Sequence, residues 1–305
     1  MIANSGEYRK KNGQRGYVMM NNFIFENKTK VYFGKGGVKE YLGGLLANFG
    51  ETVMLAYGGG SIKCNGVYDE IMGILNAQGK CVVEFSGIMS NPTYAKVQEG
   101  AKLARENHVD LILAVGGGSV SDCCKVISGA FDTLSHAMET YFGKPDENNL
   151  SDDINEAVMR SVIRNIRILL TDPENYDARS ELAWASAMAE NGVLKIGKVT
   201  DFQAHQIQHQ LGAYTDCNHG AGLAVIHPVL YRHIYKSGAA RFARFARFAQ
   251  NVWGIAPRDS DEETAAAGID ALAAFIKEIG LLTTFTELGI PADTDFRAIT
   301  DSTNV

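Results

Sequence analysis

Over the first 120 residues, short apolar runs alternate with stretches of helical periodicity. "ETVMLAYGGGS", "KCVVEFSG" and "VDLILAVGGGS" are nearly continuous apolar runs closed by glycine or serine, as expected of strands covered on both faces. Ahead of them, "NFIFENKTKVYFG" (22–34) is rich in Phe, Ile, Val and Tyr and predicts two short strands about a polar turn. Between the runs lie "GVKEYLGGLLANFG", "NGVYDEIMGILNAQG" and "NPTYAKVQEGAKLAREN", the last with Pro92 near its first turn; each has helical spacing. The alternation predicts an α/β domain over 20–130, a partial doubly wound, Rossmann-like parallel sheet.

After residue 120 the pattern is helical, and no strand is expected from Val120 to Val305. "SDDINEAVMRSVIRNIRILL" sets Ile154, Val158, Val162, Ile166 and Leu169 on one stripe and stops at Asp172-Pro173. "DARSELAWASAMAENG", "DFQAHQIQHQLGAY" and "AAAGIDALAAFIKEIG" are helical too. In "RFARFARFAQ" the triplet period lies close to 3.6, so Phe242, Phe245, Phe248 and Val252 form a slowly drifting core stripe, with the arginines on a solvated flank. The prediction is an all-α domain over 131–305.

Composition narrows the function classes. The 305 residues are 46% hydrophobic and 21% charged, an ordinary globular balance. A net charge of −6 speaks against a nucleic-acid partner. No apolar run reaches the length of a membrane span. The five cysteines form no CxxC pair, which points to a reducing cytoplasm. The polar, basic N-terminus lacks a signal-peptide core; Met20 is the expected start, with residues 1–19 a disordered extension.

Two features carry chemistry. "YGGGSIK" (57–63) and "VGGGSVSD" (115–122) each follow an apolar strand and open a helix. Such turns let backbone N–H groups approach a phosphate, at the end of a parallel sheet where ligands bind. The first turn has Lys63 nearby and no carboxylate, which favours the extra phosphate of NADP(H). The second feature is a histidine cluster. Asp132 and His136 stand one helical turn apart, as do His205 and His209, and His219 follows. Asp with His suits Fe2+ or Zn2+. His108, His227 and His233 have no comparable partner.

These motifs, with "TKVYFGKGG", "FDTLSHAMETYF" and "AHQIQHQLGAYTDCNHGAGLAVIHP", resemble the iron-containing (group III) alcohol dehydrogenases over nearly the whole chain from about Met20. Within that family the butanol dehydrogenases and broad-range aldehyde reductases are most similar. The resemblance implies a metal held by Asp132, His136, His205 and His219, with His209 beside substrate and nicotinamide. It places the nucleotide-specificity turn at Gly59, Gly60 and Ser61, and the pyrophosphate loop at Gly117, Gly118, Ser119 and Asp122. It further implies NADP(H) with Fe2+ or Zn2+, a small alcohol or aldehyde substrate, and a homodimer. The metal would act as a Lewis acid on the substrate oxygen, NADPH would supply hydride, and His209 would relay the proton.

The chain also departs from the family. There, further strands and loops of the nucleotide domain follow the second glycine turn. Here "CCKVISGA" runs directly into "FDTLSHAMETYF", so a segment is missing after Gly129, and the family's last helices are expected to be missing after "FRAITDSTNV". A non-catalytic remnant that binds metal or nucleotide without turnover is therefore the alternative expectation.

Overall fold

The computed structural model describes residues 23–27, 29–88, 94–116, 123–200 and 202–303. They form two compact units: 28–126, and 127 onward together with the segment up to Asn27.

The first unit is α/β. In chain order it contains α1 (Gly37–Leu46), β1 (Thr52–Tyr57), α2 (Ser61–Cys64), α3 (Val67–Ala77), β2 (Cys81–Phe85), α4 (Tyr94–Glu106) and β3 (Leu111–Val115). The three strands are parallel in the order β2-β1-β3, so β1 is central. Val53, Leu55 and Tyr57 project to one face, where they pack with Leu46, Ile62, Ile71 and Leu75. Met54 and Ala56 project to the other and pack with Phe85, with Ile88, Leu103 and Val109 around them. Each fully buried aliphatic or aromatic side chain contributes about 1.5–3 kcal/mol. The edge strand β3 is less covered, and Ile112 keeps 60% of its surface exposed.

The expected pair of strands at 22–34 does not form among the described residues, which are irregular from 23 to 34. Phe23, Ile24, Phe25, Val31, Tyr32 and Phe33 are exposed. Aromatic and β-branched residues make a strand only where a partner edge receives them, and no described strand pairs with these.

The second unit is helical. It comprises α5 (Cys123–Tyr141), which enters it from the first unit, then α6 (Leu150–Thr171), α7 (Tyr176–Glu190), α8 (Gln203–Thr215), α9 (His219–Ile234), α10 (Ala239–Trp253), α11 (Asp261–Glu278) and α12 (Phe296–Asp301). A single antiparallel bridge, Lys144 to Val199, is its one β feature among the described residues. A capping box opens α6: the Asn149 side chain accepts from the Asp152 N–H, and the Asp152 carboxylate accepts from the Asn149 N–H. Val158, Val162, Ile166 and Leu169 are buried along its predicted stripe. Helices α10 and α11 pack so closely that a Cβ added at Gly268 would lie 2.7 Å from that of Ala249.

Of the phenylalanines of the triplet repeat, Phe245 and Phe248 are fully buried as expected, whereas Phe242 is half-buried. The arginines depart from the expected solvated flank. Arg244 is fully buried and grips both oxygens of Asp152, donating from Nη1 to Oδ2 at 2.9 Å and from Nη2 to Oδ1. Arg247 donates to Glu156 at 2.6 Å and to Asp153 at 2.5 Å. The first turns of α6 present three carboxylates to this face of α10, so the arginines are drawn inward rather than left in solvent.

Candidate functional site

Asp132, His136 and Glu139 follow one another at helical spacing on α5, so they share a face. Opposite them α8 begins just after Phe202, which adopts the left-handed conformation. Glu139 satisfies the free amides of that helix start, accepting from the Ala204 N–H at 2.6 Å and the His205 N–H at 3.3 Å. The same carboxylate closes on His205 Nδ1. The imidazole is thereby fixed with Nε2 3.3 Å from Asp132 Oδ1. His219, the first residue of α9, follows Asn218, whose side chain caps that helix by accepting from Ala221 N–H at 3.0 Å. Its Nε2 lies 3.4 Å from the same Asp132 oxygen.

Asp132, His205 and His219 thus offer ligand atoms within 4.8 Å of one another. His136, the fourth expected ligand, stands beside them rather than among them. Its Nε2 is 3.8 Å from Asp132 Oδ1 but 2.9 Å from Glu190 Oε1 at the end of α7. Its ring centroid is 4.1 Å from that of His205. His209, one turn along α8, stacks on His219 at 5.4 Å between centroids and is otherwise exposed.

The electrostatics follow from this crowding. Burial pushes the Asp132 carboxyl up, but hydrogen bonds from His205 and His219 outweigh it and hold the group well below the carboxylate range. Burial likewise disfavours a charged His205, yet Asp132 and Glu139 raise it to about 9. His209 is lowered by burial and then by the positive potential of His219 and His205. Behind α5, the fully buried His227 meets Ser135 Oγ at 2.5 Å and is pushed down to about 4 by burial; it is a neutral packing residue. One carboxylate and clustered imidazoles around a shared point, with one imidazole held from behind by a second carboxylate, form a donor set that fits a divalent borderline metal.

The sequence reading did not single out Glu139, although its position three residues after His136 continues the same helical face. Glu139→Gln, which keeps an acceptor for the α8 amides but removes the charge behind His205, is expected to weaken metal binding by about 10–100-fold. Competition with a chromogenic chelator reads this directly; unchanged affinity would remove Glu139 from the site.

In the first unit Gly60 has φ +136°, which requires glycine, and open space lies where a Cβ would stand at Gly59 and Gly60. Ser61 opens α2 behind them. Lys63 does have a carboxylate beside it: Glu84 of β2, 3.3 Å away. The expectation of a carboxylate-free turn considered only the residues that follow β1, and parallel pairing supplies one from the next strand. Gly117, Gly118, Ser119 and Asp122 lie outside the described residues.

Comparison with known proteins fits this arrangement. The pattern described as "Fe-containing alcohol dehydrogenase family, C-terminal" matches residues 126–303, and that described as "Iron-containing alcohol dehydrogenase" matches residues 28–157. The chain belongs to the iron-containing alcohol dehydrogenase family. It is 31% identical to the probable NADH-dependent butanol dehydrogenase 2 of Bacillus subtilis, over 86% of this chain and 87% of that protein. It is 27% identical to the NADPH-dependent aldehyde reductase YqhD of Escherichia coli, over 88% and 90%. The crystal structure of NADH-dependent butanol dehydrogenase A from Thermotoga maritima superposes with a TM-score of 0.86 at 28% identity, covering 93% of this chain and 91% of that one. The fold class expected from the sequence, an α/β unit followed by a helical one, is that of the family.

The alignment to the Bacillus protein runs over 344 positions, more than the 305 residues of this chain. The relative therefore carries internal residues with no counterpart here. The two family patterns overlap over 126–157, and the described structure crosses Gly129 within the unbroken helix α5. Among the described residues no helix is long and apolar enough to cross a membrane.

Proposed function

We propose that this chain transfers hydride between NADP(H) and a short-chain primary alcohol or aldehyde, with Fe2+ or Zn2+ held by Asp132, His136, His205 and His219. The observation that carries this reading is the convergence of three imidazole Nε2 atoms, from His136, His205 and His219, within 3.3–3.8 Å of one Asp132 oxygen. When bound, the metal supplies a Lewis acid that polarises the substrate oxygen. Glu139 orients His205 for this task. His209, exposed beside His219 and biased toward its neutral form, passes the proton between the substrate oxygen and solvent. Gly59, Gly60 and Ser61, together with the glycine loop 117–119 and Asp122, bind the dinucleotide phosphates, and Lys63 faces the 2′-phosphate.

A second reading is favoured by the length of the alignment and by the sheet of three strands among the described residues: a remnant that binds metal without turnover. Metal analysis of the purified chain, with NADPH oxidation followed on butanal, separates the two. Stoichiometric metal with turnover is expected; stoichiometric metal without turnover would establish the remnant.

A further inference from the structure

Beyond the glycine turn, the carboxyl end of the sheet carries a polar cluster around Lys63, whose other members the mechanism above does not use. Glu84 is the penultimate residue of β2 and pairs in register with Leu55 of β1, so its side chain lies on the same face as Tyr57 two residues on. Tyr57 Oη donates to Glu84 Oε2 at 2.5 Å, and Tyr68 Oη donates to Oε1 at 2.5 Å. Lys63 Nζ lies 3.3 Å from Oε2 and stands over both rings, 4.4 Å from the Tyr68 centroid and 5.3 Å from that of Tyr57. Glu84 and Lys63 remain partly open to solvent, with side-chain exposures of 41% and 48%.

The place and the chemistry both bear on the cofactor. In doubly wound sheets that bind dinucleotides, an acidic side chain about 20 residues after the glycine turn accepts from the ribose 2′-hydroxyl, and a cation there accommodates a 2′-phosphate. Here both occur side by side, tied to each other. Two tyrosine hydroxyls fix the carboxylate, and the carboxylate offsets the charge of Lys63. Hydrogen bonds from Tyr57 and Tyr68 hold the Glu84 carboxyl below its usual range, so at neutral pH the group is an anion. A 2′-phosphate brought to Lys63 meets this anion at close quarters, whereas a free 2′-hydroxyl finds an acceptor.

We infer that Glu84 is a specificity-determining residue for the nicotinamide cofactor: it restrains the preference of Lys63 for a 2′-phosphate, and removing its charge shifts the chain toward NADP(H). This rests on the reading above that the Gly59–Ser61 turn receives a dinucleotide. The effect is one of balance, so it appears in the ratio of two affinities rather than in either alone.

The test is fluorescence titration of the full chain with NADH and with NADPH at fixed ionic strength. Glu84→Gln is expected to raise the affinity for NADPH relative to NADH by about fivefold to tenfold, the scale of one partly screened charge. Lys63→Met should move the ratio the opposite way, and in the double variant Glu84→Gln should still raise it, by its direct effect on the 2′-phosphate and 2′-hydroxyl. A ratio unchanged by Glu84→Gln, or both affinities changed equally, would overturn the inference and leave the cofactor reading intact. Failure of the unaltered chain to bind either dinucleotide would overturn both.

Discussion

His205→Ala is expected to abolish stoichiometric metal binding, a larger loss than the ~10–100-fold that an outer-shell partner such as Glu139 is worth. His205 is held by a carboxylate at each ring nitrogen: Asp132 Oδ1 lies 3.3 Å from Nε2, and Glu139 closes on Nδ1. Alanine removes a ligand atom and leaves Glu139, which is buried, with only backbone amides for partners. The metal-free protein should therefore lose stability as well. Because folding raises the His205 pKa from its ordinary 6.5 to about 9, its stabilising contribution in chelator-treated protein is complete below pH 6.5 and is lost as pH rises through 9. The variant should abolish this pH dependence. Metal content after dialysis and urea melts from pH 6 to 9.5 check both statements, with His233→Ala as the control that should change neither. Full metal retention in His205→Ala would overturn the ligand assignment.

Much of this centre was legible because helical spacing is local information. Asp132 with His136, and His205 with His209, announce shared faces through their i, i+4 separation alone. What the spacing lacked was depth. Glu139 lies on the same face as Asp132, but a glutamate near the end of a helix reads as solvated until α8 begins against it. Arg244 was misplaced for the same reason. A triplet repeat sets arginines to one side of a helix, and only the arrival of Asp152, Asp153 and Glu156 from α6 converts that flank into an interior. Glu84 requires knowing that β2 runs beside β1, with Glu84 opposite Leu55. The apolar stretch at 23–34 erred in the other direction, because strand propensity without a partner edge makes no strand. For Glu139, Arg244 and Glu84 alike, a long-range pairing decides the surroundings that local spacing leaves open.

That long-range pairing also determines where the helical unit is most vulnerable. Asp152→Ala is expected to destabilise the chain by about 3–5 kcal/mol, the cost of breaking a buried ion pair from one side. The carboxylate has no exposed surface and binds two cations that have none either, Lys198 at 2.8 Å and Arg244 through both guanidinium arms. Arg244 in turn donates to the Tyr141 carbonyl at 3.1 Å from Nε and at 2.6 Å from Nη2, joining α6, α10 and the end of α5. One anion between two cations already leaves an excess of positive charge, and burial together with Arg244 pushes the Lys198 ammonium down to about 8. Without Asp152 nothing on α6 replaces it, since Asp153 and Glu156 are engaged by Arg247. The Asp152 carboxyl is pushed up by burial but held below its ordinary value by Arg244 and Lys198, so its contribution is present above the ordinary carboxylate range and is lost as pH falls through the folded value. Asp152→Asn, which retains shape and some acceptors, should recover only part of the loss, because charge rather than volume is what is missing. Urea unfolding followed by circular dichroism at pH 7 gives the comparison; a cost below about 1 kcal/mol for Asp152→Ala, the level of a surface ion pair, would show that the cations find water instead and that this cluster does not hold the helices together.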